Sequence, residues 1–231
     1  MARFPRLAVI AVLAATPAAG AVTERPAPIA GEIVATRGGE EGQLVPEAGW
    51  RVVEASQDLK AGDVLRTNAT GNLAIVFADQ TQIRLGRNAT LVVKAIGADG
   101  PTRFGLTEGS LWARAPRGRA DLVIETPAAS AAVRGTDWTL AVEGPRTALT
   151  VLDGAIEFFN TAGSLTVAAG EAAVATIGSA PTRTVLVQST DREQLLFYLS
   201  LRDTFRLLPP TPLTAAELRA ARARLRAVPP A

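Results

Sequence analysis

Between residues 31 and 187 the apolar positions come in short runs, broken every few residues by Gly, Asn or Asp. Such runs occupy 72–77, 82–85, 91–93, 122–124, 138–142, 148–152 and 165–167. Short β-branched runs bounded by turn residues predict strands. Two of them alternate strictly. Leu73, Ile75 and Phe77 share one face, and so do Trp138, Leu140 and Val142, which predicts strands with one buried and one wet side. No amphipathic helix of useful length precedes Thr190. The expected fold is all-β, with a β-solenoid or β-roll-like domain over 31–188.

A weak repeat underlies the solenoid expectation. An apolar residue, two spacers, Gly, one spacer and a second apolar residue recur around Gly62, Gly109, Gly154 and, less well, Gly170. A glycine fixed between strands predicts a turn at positive φ. Regular recurrence predicts stacked coils, each burying its neighbour's apolar face.

The pattern changes at both ends. Arg3 and Arg6 precede an apolar run over 7–15, then Thr16, Pro17 and small residues to Ala21. That order predicts a signal peptide over 1–21, cleaved near Ala21, and export to the periplasm or beyond. The run is too short to span a bilayer, and no later stretch is long enough, so no transmembrane span is expected in the mature chain. Residues 22–30, with Pro26 and Pro28, read as an exposed leader. Residues 189–231 read as a two-helix extension. Thr190 and Glu193 form a capping box ahead of Leu195, Leu196, Phe197, Leu199, Leu201 and Phe205. A helix this apolar must be covered, and capping the β-domain would cover it. After Pro209, Pro210 and Pro212, a second capping box at Thr214 and Glu217 opens a thinner, basic helix. That helix could touch anionic lipid or an acidic partner, or lie solvated on the surface.

Composition then narrows the function. The chain holds 24 Lys and Arg against 22 Asp and Glu. Removing Arg3 and Arg6 with the leader leaves the mature chain neutral, with charges of both signs scattered along it. A nucleic-acid binder would concentrate a basic face, so no nucleic-acid partner is expected. Cys and His are both absent. The absences remove disulfides, the commonest general base and the commonest metal ligand. There is also no phosphate-cradling Gly loop and no Asp-rich Ca²⁺ loop. No catalytic residue, cofactor or metal is expected. Trp50, Trp112 and Trp138 read as core or groove-lining residues.

The most specific segment runs from Glu125 to Leu140, ETPAASAAVRGTDWTL. Thr126 and Pro127 end one strand; Val133, Arg134, Gly135 and Thr136 lead into an aromatic strand at Trp138. Pro127 cannot donate to a ladder, so it should end a strand or sit at an edge. Gly135 should hold positive φ. Arg134 could staple loop carbonyls or contact a partner.

These residues resemble the hallmark of the FecR domain. The flanks agree: Ala61-Gly62-Asp63-Val64-Leu65 with Thr67, then Asp79-Gln80-Thr81 before Gln82–Leu85, then 106–111 and Val151-Leu152-Asp153-Gly154. Family members usually carry Asp-Gly-Ser where this chain has Asp79-Gln80-Thr81. The resemblance covers about 57–175. It implies a β-solenoid or β-roll facing the bacterial periplasm. In full-length regulators that domain relays a signal from an outer-membrane transporter to an anti-sigma segment. This chain shows no cytoplasmic helical segment and no transmembrane helix ahead of the β-domain, so the scaffold carries over rather than the whole circuit. The expected function is a non-catalytic binding or signal-relay module of the cell envelope, with an envelope protein or cell-wall polymer as partner. The alternatives are a structural protein holding peptidoglycan or polysaccharide, and a carbohydrate-active enzyme.

Overall fold

The computed structural model describes residues 25, 28–97, 101–116 and 122–184. The expected signal peptide and the expected helical extension lie outside the described residues. Within them the chain forms seventeen strands and no helix, an all-β fold whose sheets do not close into a barrel.

The strands fall into two sheets, and the chain alternates between them. β1 (Gly31–Thr36) lies in sheet I. The hairpin of β2 (Glu41–Gln43) and β3 (Trp50–Val52) lies in sheet II. β4 (Asp58–Leu59) returns to sheet I and β5 (Val64–Arg66) to sheet II. The hairpin of β6 (Leu73–Phe77) and β7 (Gln82–Leu85) adds to sheet I, and β8 (Thr90–Ala95) to sheet II. β9 (Thr102–Arg114) runs through both sheets. Sheet II then takes β10 (Leu122–Glu125) with β11 (Ser130–Val133), and sheet I takes β12 (Asp137–Glu143) with β13 (Arg146–Asp153). The hairpin of β14 (Ala155–Asn160) and β15 (Gly163–Ala168) completes sheet II, and β16 (Ala172–Thr176) with β17 (Thr182–Thr184) completes sheet I.

All seven apolar runs named from the sequence fall on strands of this set. Their pairing is antiparallel throughout, except that β10 runs parallel to β9. Coils stacked in a solenoid would pair in parallel. Here hairpins send the chain back along the sheet it came from, and corners send it to the other sheet.

β9 joins the layers. Its first half pairs with β8 and β10 in sheet II, its second half with β7 and β12 in sheet I. The changeover sits at Gly109, where φ is +75°. A Cβ there would stand 2.4 Å from Ala89 Cα and 2.5 Å from Asn88 O. Only glycine meets both demands, since the left-handed region strains other residues and the nearest atoms are backbone.

The inner faces of the two sheets meet in one apolar cluster that includes Ile33, Ile75, Phe77, Leu111, Trp138 and Leu149 from sheet I and Leu65, Leu91, Phe104, Ile124 and Phe158 from sheet II. Phe77 and Phe104 meet across the layers with ring centroids 4.5 Å apart. Alternation along each strand produces this, because every second side chain points inward.

Candidate interaction surface

The Thr126 to Trp138 motif builds a corner of the fold. Thr126 closes the β10–β11 turn: its Oγ1 accepts from Ala129 N at 3.1 Å and donates to Ala129 O at 2.6 Å. The same hydroxyl lies 2.8 Å from Thr147 Oγ1 on β13, which ties the end of sheet II to sheet I. Pro127 is exposed in that turn, where no ladder hydrogen bond is asked of it. Val133 ends β11 in the core. Gly135 carries the chain from sheet II to sheet I at φ +61°. Thr136 is buried, and its carbonyl accepts from Ala115 N at 3.0 Å. Trp138 is fully buried between the sheets. Arg134 is exposed at the corner and has an interaction partner.

The four repeat glycines all hold positive φ: Gly62 at 96°, Gly109 at 75°, Gly154 at 85° and Gly170 at 82°. Each stands where the chain changes sheets, at β4–β5, within β9, at β13–β14 and at β15–β16. Two corners touch, for a Cβ on Gly154 would lie 2.5 Å from Thr136 Cγ2. The motif and the glycines therefore share one structural task, the passage between layers.

The carboxylates are absorbed by similar tasks. Buried Asp63 accepts from Val45 N at 2.9 Å and Lys60 N at 2.7 Å, and pairs with the Arg25 guanidinium. Arg25, within the segment expected as an exposed leader, has a side chain only 6% exposed. Buried Glu40 accepts from Gly38 N and Asn72 N, both at 2.7 Å. Asp137 takes a two-pronged pair from Arg114, at 2.5 and 2.6 Å. Glu125 accepts from Lys94 at 2.7 Å, and that hydrogen bond holds its carboxyl below the usual range. Arg84, half-buried beside Arg37, has its pKa pushed down to about 9, chiefly by desolvation. Among the described residues no three His, Cys, Asp or Glu side chains gather as a metal site. No helix there is long and apolar enough to cross a membrane.

One surface stands apart. Val45, Trp50 and Val52, three of the four large apolar side chains exposed among the described residues, belong to or adjoin the β2–β3 hairpin at the edge of sheet II. Trp50 and Val52 alternate onto the same outward side of β3. The Arg66 guanidinium lies 3.9 Å from the centre of the Trp50 ring and pairs with Glu41 at 2.5 Å. β3 pairs with β2 and with no other described strand. The sequence reading placed Trp50 with the core or a groove wall. Trp112 and Trp138 are fully buried, whereas Trp50 is 39% exposed. A three-residue edge strand leaves no second layer to bury it. The alternation of Trp50 with Val52 was the available signal, but alternation alone does not say which side is wet.

Known proteins place the chain further. Residues 63–157 match the model of the FecR protein family. No curated protein matches the sequence. Two crystal structures of a candidate anti-sigma factor from Parabacteroides distasonis ATCC 8503 are similar, each with a TM-score of 0.51 at 13% identity over 59% of this chain. The alignment spans 64% of that protein, a little under two thirds. At such identity the likeness shows the fold alone.

Proposed function

We propose, on the premise that residues 63–157 form a FecR domain, that this chain is an exported, non-catalytic binding or signal-relay module of the bacterial cell envelope. In this reading the leader over 1–21 directs export, and the hairpins wound alternately over two sheets serve as a β-roll-like scaffold. The partner is an envelope protein that lays an extended strand along β3. Anti-sigma-factor-like neighbours support the relay role. The carboxylates of Asp63, Asp137, Glu40 and Glu125 support the non-catalytic role, since each is engaged in holding the fold.

The β3 edge carries the reading. An open edge offers unpaired backbone groups to an incoming strand, and alternate side chains supply the specificity. Trp50 and Val52 stand on that edge, and Trp is enriched where interfaces concentrate their binding energy. Arg66 holds the Trp50 ring in place.

The test is photo-crosslinking in the intact envelope, with the reactive residue at Val52 and, as control, at Thr166 on the opposite edge strand of sheet II. One defined protein adduct is expected from position 52 alone, lost in Trp50→Ala while the melting temperature holds. Equal adducts from both positions, or retention on purified peptidoglycan that Trp50→Ala leaves unchanged, would overturn the reading in favour of a structural wall-binding protein.

A further inference from the structure

The outer face of sheet I is covered. Alternate residues that point away from the core, Ala74, Val76, Trp112 and Ala141, are 3%, 0%, 0% and 6% exposed, yet they lie outside the cluster between the sheets. Strand register sets them close together. Arg84 faces Trp112, Trp112 faces Thr139, and Ser110 faces Ala141. Ser110, Thr139 and Thr150 on the same face are also buried. Gln82 joins them at 5% exposure, and its buried Oε1 finds no hydrogen-bond partner, so water does not reach it. All seventeen described strands belong to the two sheets, and sheet II occupies the other side of sheet I. No described strand lies over this face.

We propose that residues 190–208 of this chain lie across it as an apolar helix. The chain leaves the described residues at Thr184, the end of β17, on the edge of this same sheet. Four strand spacings, at about 4.8 Å each, separate β17 from β9. Ten residues lie between Thr184 and Leu195, and extended chain spans about 3.3 Å per residue, so the reach is ample. A helix rises about 1.5 Å per residue, which makes 190–208 about 28 Å long. That is enough to cross the buried patch from β6 to β13, four strand spacings or about 19 Å. Its composition fits as well. Phe197, Leu201, Phe205 and Leu208 follow at steps of four, four and three, the spacing of one helical stripe. The small side chains of Ala74, Ser110, Thr139 and Ala141 around Trp112 give such a stripe a floor. The helix closes sheet I to other partners and leaves sheet II as the side that meets them.

The chain has no cysteine, so paired cysteine variants of the full protein report contact without background. Thr139→Cys combined with Leu201→Cys or Phe205→Cys is expected to form an intramolecular disulfide at least tenfold faster than Thr166→Cys, on sheet II, combined with the same partners. Truncation after Thr184 adds a second reading, expected to shift Trp112 emission to the red and open it to acrylamide. Equal rates in both pairings would overturn the proposal. Disulfides formed only between chains would assign the face to a second copy. A folded truncation whose Trp112 stays blue and unquenched would assign it to another segment, such as residues 1–24.

Discussion

Lys94, Arg103 and Glu125 stand in water on the outer face of sheet II, while at comparable positions on sheet I Val76, Trp112 and Thr139 are shut away from it. The two sheets share β9 and a core, and they use the same alternation of side chains. They differ in what the second residue of each pair is. On sheet II it is charged or polar and forms ion pairs with its neighbours, such as Arg66 with Glu41 and Lys94 with Glu125. On sheet I Ala74, Val76, Trp112, Thr139 and Ala141 are small, apolar or aromatic, the one carboxylate beside Val76, Glu32, is fully buried, and the Arg114–Asp137 ion pair is largely buried. A sheet buried on both sides reads as a near-continuous apolar run, as β6 (Leu73–Phe77) does, while β12 (Asp137–Glu143) is buried at every position but its last although Asp137 and Thr139 interrupt its apolar residues.

If the difference is real in energy, substitutions at matched positions will separate. Trp112→Ala should cost about 3–5 kcal/mol, the range for emptying a buried Trp site. Lys94→Ala should stay within about 0.5 kcal/mol, as exposed positions do. Urea unfolding followed by circular dichroism measures both, and equal costs would break the comparison. Asp137→Ala comes next, at about 2 kcal/mol, because it strands a guanidinium that is three-quarters covered.

A gain is expected at the turn between β6 and β7. Gln80 holds φ +69°, and its buried Nε2 finds no hydrogen-bond partner. Gln80→Gly should relieve both burdens and raise stability by about 1 kcal/mol after its entropic cost, read as a higher melting temperature.

The smallest effect is a pH dependence on sheet II. The Glu125 carboxyl is held below its ordinary value of 4.5. A lowered folded-state pKa gives a contribution that is whole above that ordinary value and fades as pH falls through the folded value. Glu125→Gln should therefore bring the acid-unfolding curve slightly closer to the parent curve at low pH than at neutral pH. Solvent screening keeps the difference small.

Sequence patterning located the strands at 73–77 and 138–142, but it gave each one wet side. Both sides are buried, because the outer face of sheet I is covered too, and a period of two carries no signal of that. Patterning also marked Gly62, Gly109, Gly154 and Gly170 as turn positions. It did not show that Gly109 lies inside a thirteen-residue strand. Thr107, Glu108 and Gly109 read as a turn, and only the backbone of Asn88 and Ala89 against them makes the bend continuous with both sheets. Nor could it show the Arg114–Asp137 pair, whose partners are 23 residues apart. The motif at 126–138 stood out as one string, yet its parts serve a turn, a corner and the core. The exposed Trp50 edge was hidden because burial on β3 depends on whether a further strand lies beside it.

The shared strand has a consequence for how the molecule comes apart. Residues 102–114 are interior in both layers, flanked by β8 and β10 in one and by β7 and β12 in the other. Neither layer can be peeled away while its companion stays intact, since either departure strips one half of the same strand. Thermal fluctuation thus has no cheap partial opening through the middle of the domain. Amide protons along 102–114 should be the last to exchange with deuterated water, and they should do so together, at the rate set by rupture of the whole domain.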